Sequence, residues 1–189
     1  MLAGSAVALS GCAAGAGPTP PAAEVDEADA NRSPQRPSAR VVSPVHLSIG
    51  SIGVDTRLVR LGLNDDGTVE VPTERGTAGW FRLGPVPGQR GSSVILGHVD
   101  SVDGPDVFAD LSTMRPGAPV QVGLSDDTVA TFEVTGIRTY ANADFPADRV
   151  YAGTRRGREL NLVTCGGAYD ADRGGYQSNV VVYTRLTPR

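Results

Sequence analysis

An all-β domain with little helix is what this sequence predicts, and three observations carry the prediction. Short runs rich in Val, Ile, Thr, Tyr and Phe recur along residues 45–189, several of them alternating, as in Thr131-Phe132-Glu133-Val134. Turn dipeptides separate these runs: Asp66-Gly67, Pro87-Gly88, Pro116-Gly117 and Gly174-Gly175. The chain also holds 24 Gly and 14 Pro, a turn-rich composition. About eight short strands with few helices make a closed barrel or a sandwich.

In chain order the strand-like runs are Val45–Ile49, Arg57–Leu61, Thr68–Val71, Ala78–Phe81, Ser92–Val99, Pro119–Leu124, Val129–Tyr140, Glu159–Cys165 and Asn179–Leu186. Helical signal is confined to two stretches of a turn or two each. They are Pro105–Met114 and Asp144–Ala152, with Asp106 and Asp144 as candidate N-caps. No internal repeat is present.

The N-terminal residues differ from the rest. Residues 1–12 are small and apolar and read as the remnant of a secretory segment without its positive start. Leu9-Ser10-Gly11-Cys12 resembles a bacterial lipobox, in which the Cys is lipidated; the alternative is a truncated signal anchor. Residues 13–44 are Ala, Pro, Gly and acidic residues, unable to bury enough apolar surface to offset ordering entropy. They read as a disordered linker spanning on the order of 30 Å. A linker behind an anchor holds residues 45–189 at a distance from a membrane, a cell-envelope arrangement.

Composition excludes several functions. The 189 residues carry 17 basic and 21 acidic side chains, for a net charge of −4. Every basic residue is Arg, and no basic run exists, which argues against nucleic acid as a partner. Two Cys and two His fit no four-ligand zinc spacing, so no metal and no cofactor is expected. No apolar run is long enough for a spanning helix.

Two side chains point to chemistry. Cys165 ends the apolar run Leu160-Asn161-Leu162-Val163-Thr164 and precedes Gly166-Gly167, which places a thiol at a rim that a peptide backbone can approach. Cys12 is no plausible disulfide partner, so Cys165 reads as a free reactive thiol, against the bland alternative of a small buried hydrophobe. His98 ends the run Ser93-Val94-Ile95-Leu96-Gly97, and His46 lies at the start of the domain. One Cys and one His at strand ends form the pair a thiol acyl-transferase needs, since only the thiolate attacks. A neighbouring imidazole can take the thiol proton and return it to a leaving amine. An oxyanion then needs a donor. Arg173 in the loop after Cys165 is a candidate, against a solvated Arg paired with Asp170 or Asp172, and the Gly166 backbone N–H is another. Thr164 is a candidate substrate contact. Trp80 reads as core, and Tyr140 and Phe145 either line a groove or anchor a loop.

Four blocks carry a family resemblance: Ile95–Ser101, Asp106–Leu111, Leu162–Asp170 and Tyr176–Tyr183. Together with Leu47–Asp55, Gly79–Phe81 and Pro85–Gly88 they resemble a class F sortase of actinobacteria, from about residue 45 to the end. The resemblance implies an eight-stranded closed β-barrel and a cysteine transpeptidase outside the cell membrane. It implies cleavage of a Leu-Pro-X-Thr-Gly-type sorting signal on surface proteins through a thioacyl enzyme, resolved by a cell-wall precursor amine or water. It makes Cys165 the nucleophile and His98 the acid/base. The family's third residue is an Arg near the start of the last strand, and there the sequence departs, with Gln177 where several relatives carry Arg. Arg173 is therefore taken as the oxyanion partner, with Gln177 or Asn179 as weaker neutral donors. Two other classes compete: an L,D-transpeptidase, whose Ser-x-Gly-Cys-type motif Thr164–Gly167 does not match, and a non-catalytic wall-binding lipoprotein with an inert thiol.

Overall fold

The computed structural model describes residues 41–153 and 157–188. The expectations for the secretory segment, the lipobox and nearly all of the linker lie outside the described residues.

Ten strands form. They are β1 (Pro44–Ile49), β2 (Val54–Leu61), β3 (Ala78–Phe81), β4 (Gly91–Leu96), β5 (Asp100–Ser101), β6 (Gly104–Pro105), β7 (Pro119–Leu124), β8 (Val129–Ala141), β9 (Arg158–Asp170) and β10 (Gly175–Leu186). Eight of them close into a barrel in the order β1-β2-β3-β4-β9-β10-β8-β7, while β5 and β6 pair separately as a small hairpin arm. The pairs β2–β3 and β4–β9 are parallel and the rest antiparallel, so the barrel is mixed. Closure removes every edge that two-stranded ribbons would leave open.

Alternation explains the inward face. Val120 and Val122 of β7 are fully buried, while Pro119 before them and Gln121 between them are exposed. They meet Leu47 and Ile49 of β1, Phe132 and Val134 of β8, Leu160 and Leu162 of β9, and Val182 of β10. Each such side chain contributes about 1.5–3 kcal/mol on leaving water. Strands β4 and β9 are instead buried on both faces. Val94, Leu96 and Val163 point away from the barrel interior into a second cluster with Leu61, Val150 and Val181, covered by Phe81, Phe145 and Tyr151. A strand wet on neither face has no reason to alternate.

Two local expectations differ from what forms. Residues 68–71 make only an isolated bridge, Leu63 to Val69. The Asp66 carboxylate accepts from both the backbone and the hydroxyl of Thr68, which ties the segment into a tight turn against residues 62–64, where Asn64 N–H donates to the Thr68 carbonyl and Glu70 N–H to the Gly62 carbonyl. In and around the two stretches expected to be helical, only single turns form: 3₁₀ turns at Leu111–Thr113 and Asn142–Asp144, and a π turn at Asp148–Ala152. Stretches this short, interrupted by Pro146 and followed by Pro116, cannot propagate past nucleation. Asp106 caps no helix; its carboxylate accepts from the Gly76 and Val107 backbones and staples two loops together.

Candidate active site

Cys165 lies inside β9 rather than at its end, because β9 and β10 run on as a hairpin to Asp170 and Gly175. The rim position nevertheless holds. The neighbouring strand β4 stops at Leu96, opposite Val163, and the last bond between the two chains runs from Gly97 N–H to the Val163 carbonyl at 3.2 Å. His98 follows two residues after the end of β4, and Cys165 lies two residues past Val163 on β9. On the other side Cys165 pairs with Asn179 of β10. Cys165 is a free thiol on an exposed residue.

The glycines after it are required by close approach. A Cβ on Gly166 would lie 2.8 Å from Val180 Cγ2. Gly167 has φ +76°, and a Cβ there would meet Ser178 Oγ at 2.8 Å. The strand pairing shifts at this point, between Tyr176 and Ser178.

His98 is held from two directions. Its carbonyl accepts from the Phe108 N–H at 2.9 Å. Its Nε2 lies 2.8 Å from the Pro72 carbonyl oxygen. A carbonyl only accepts, so Nε2 carries the hydrogen and Nδ1 is the proton-accepting atom of the neutral ring.

A cleft of about 310 Å³ opens at the thiol, lined among others by Val99, Phe108, Thr164, Cys165, Gly166 and Tyr176. His98 is not part of that lining, although Val99 next to it is. Thr164 is part of that lining but only 4% exposed, and its buried hydroxyl has no hydrogen-bond partner. A larger groove of about 710 Å³ lies elsewhere, between Val86, Leu124, Arg158 and Leu186. Arg158 is seven residues before Cys165 on β9, roughly 23 Å away at ~3.3 Å per residue. That groove sits at the barrel's other end, remote from the thiol.

Sequence reasoning missed one pair. The Tyr176 hydroxyl donates to Asp100 Oδ2 at 2.5 Å, joining the start of β10 to the arm that follows His98. Partial burial of the sulfur pushes the Cys165 thiol above its ordinary pKa, and the Asp100 carboxylate adds to the effect. Tyr176 is likewise raised, chiefly by its bond to Asp100. The only hint in the sequence was that both residues fall inside the motif blocks containing His98 and following Cys165.

The remaining candidates are dispersed. Arg173 is exposed in the 3₁₀ turn at the hairpin tip, outside the cleft lining. Cys165 to Asp170 alone spans roughly 17 Å of strand. Gln177 donates its Nε2 to the Gly175 carbonyl at 2.6 Å, within the hairpin. Asn179 donates its Nδ2 to Asn142 Oδ1 at 2.9 Å. Trp80 is core, its indole N–H donating to the Pro85 carbonyl at 3.2 Å. Tyr140 and Phe145 pack edge to face in the outer cluster and anchor the 142–152 segment. Among the described residues no three His, Cys, Asp or Glu gather as metal ligands, and no helix is long and apolar enough to cross a membrane.

A Sortase domain model matches residues 47–187. The chain belongs to the sortase family. Solved sortases share the fold at low identity. Sortase A from Corynebacterium diphtheriae superposes with TM-score 0.59 at 15% identity, covering 78% of this chain and 61% of that one. Sortase C1 from Streptococcus agalactiae gives 0.59 at 20%, over 77% and 67% of the two chains. A sortase D5 transpeptidase of Clostridium perfringens gives 0.57 at 19%, over 77% and 79%. Among curated proteins none matches. The eight-stranded closed barrel is therefore the sortase fold.

Proposed function

We propose that this protein is a class F sortase, a cysteine transpeptidase that cuts a Leu-Pro-X-Thr-Gly-type sorting signal on surface proteins. The observation that carries the proposal is the free Cys165 thiol in an open cleft of a sortase barrel, with His98 two residues past the end of the neighbouring strand β4.

In this mechanism Cys165 is the nucleophile. Its raised pKa keeps the resting sulfur protonated, so ionisation is coupled to substrate arrival. Neutral His98 accepts the thiol proton at Nδ1 as sulfur attacks the Thr carbonyl. The oxyanion is taken by the Gly166 backbone N–H and by Arg173, which serves once the hairpin tip folds over the cleft. Thr164, part of the cleft lining, contacts the substrate. His98 then protonates the departing Gly amine, leaving a thioacyl enzyme. A cell-wall precursor amine, or water, attacks that thioester and frees the sulfur. No cofactor enters. The protein works on the outer side of the cell membrane, held there by its N-terminal segment or by a lipid on Cys12.

The test uses the full chain and a quenched Leu-Pro-X-Thr-Gly peptide. The parent protein cleaves it, whereas Cys165→Ala and His98→Ala do not. Equal cleavage by parent and Cys165→Ala refutes the proposal. Capture of a peptidoglycan stem peptide on Cys165, in place of the sorting peptide, would instead indicate an L,D-transpeptidase.

A further inference from the structure

Asp100 is a carboxylate in a place that makes the first half of the reaction harder. Its negative charge adds to partial burial in disfavouring the Cys165 thiolate, the form that attacks. No Arg or His among the described residues forms an ion pair with it. One of its oxygens, Oδ2, is fixed by the Tyr176 hydroxyl at 2.5 Å, and no described residue hydrogen-bonds the other, Oδ1. Tyr176 itself lines the thiol cleft and is braced edge to face by Tyr169 at 5.2 Å. Phe108, Val99 and the Gly166–Gly167 backbone make up much of the remaining wall, and no Arg is part of it. An exposed carboxylate aimed by one hydrogen bond from a cleft-lining tyrosine, beside a cleft wall without Arg, is built to receive a cation. The reaction supplies one, because the acceptor amine arrives as an ammonium.

We propose that Asp100, positioned by Tyr176, binds the ammonium of the acceptor substrate beside the Cys165 thioester. This rests on the transpeptidase function above and names the group that selects amine over water. Bound at Asp100, the ammonium gives one proton to neutral His98. The freed nitrogen lone pair forms the C–N bond to the thioester carbon, and the C–S bond breaks. The sulfur leaves with the electron pair and takes the proton back from His98, while the second nitrogen proton passes to solvent. The products are an amide and the resting thiol. Tyr176 acts through Asp100 and is a positioning residue.

The test measures how one thioester partitions. Full-length protein, Asp100→Asn and Tyr176→Phe are incubated with the sorting peptide and increasing triglycine, and separately with hydroxylamine, which is mostly uncharged at neutral pH. Hydrolysis and aminolysis products are read by mass spectrometry. Both come from the same intermediate, so their ratio does not depend on how fast the thioester forms. Asp100→Asn should lower the triglycine-to-water ratio about tenfold and Tyr176→Phe by less, both leaving the hydroxylamine-to-water ratio at the parent value. An unchanged triglycine ratio in Asp100→Asn overturns the assignment alone. An equal fall for triglycine and hydroxylamine also overturns it, because the defect would not depend on charge. If the parent forms no thioester with the peptide, the transpeptidase function and this assignment fall together.

Discussion

Replacing Gly97 by Ala tests whether the rigid wall behind His98 sets the geometry of the site. Gly97 joins the end of β4 to His98, and its N–H donates to the Val163 carbonyl. A Cβ at this position would lie 2.7 Å from both Val107 Cγ1 and Phe108 Cδ2. Ordinary contact begins near 3.4 Å, so something must give by about 0.7 Å. Phe108 is fully buried and cannot swing into solvent, so the backbone carrying His98 moves with it. Overpacking of this kind costs about 1–3 kcal/mol, and for a domain of this size each kcal/mol lowers Tm by about 2–4 °C. A melting point lower by roughly 4–8 °C is the expected outcome. Displacing His98 by a sizeable part of an ångström should also cut peptide turnover by up to about 10²-fold, measured well below the melting point. Gly136→Ala in β8 is the comparison, because nothing lies within 4 Å of the added Cβ. It should be neutral, or more stable by about 0.5 kcal/mol. Parent-like melting and parent-like turnover in Gly97→Ala would refute the reasoning.

Three further outcomes are expected. Because the Cys165 pKa is raised, less thiolate exists at any given pH, and alkylation by iodoacetamide should climb about tenfold per pH unit from neutrality, with no plateau below pH 9.0; an earlier plateau contradicts this. Asn161→Ala removes the buried amide that donates to Ser92 Oγ and to the Val150 carbonyl, both at 2.7 Å, and should lower stability by about 1–3 kcal/mol in urea unfolding. Arg173→Ala should reduce kcat by about 10²-fold if the hairpin tip closes onto the oxyanion. A small change would move the donor elsewhere, and Gln177→Ala is the variant to measure next.

Local patterning made much of the barrel legible. Strands β1, β7 and β8 alternate because one face meets the core and the other meets water. The run 92–96 and the start of β9 read as strongly apolar because the outer cluster around Val94 and Val163 covers their second face. The same reading overreached at 68–71, where the pairing with 62–64 is cut to a single bridge by the Asp66-Gly67 turn, a circumstance invisible to composition. It also placed Cys165 at the end of its strand, because glycines usually stop strands. Here Val180 and Ser178 approach so closely that only glycine lets β9 continue.

By itself the sequence determined which residues seek the interior, where the chain turns, and which two side chains can exchange a proton with a peptide bond. Those properties are local: hydrophobic periodicity, glycine and proline stereochemistry, and thiol and imidazole chemistry. Only the tertiary structure decided who stands beside whom. His98 follows the end of β4, which runs parallel to the β9 strand that carries Cys165, and Asp100 meets Tyr176 across 76 residues of chain. Arg173 ends up at the hairpin tip, out of the cleft lining, for a similar reason: strand length, and not residue type, sets how far it stands from the sulfur.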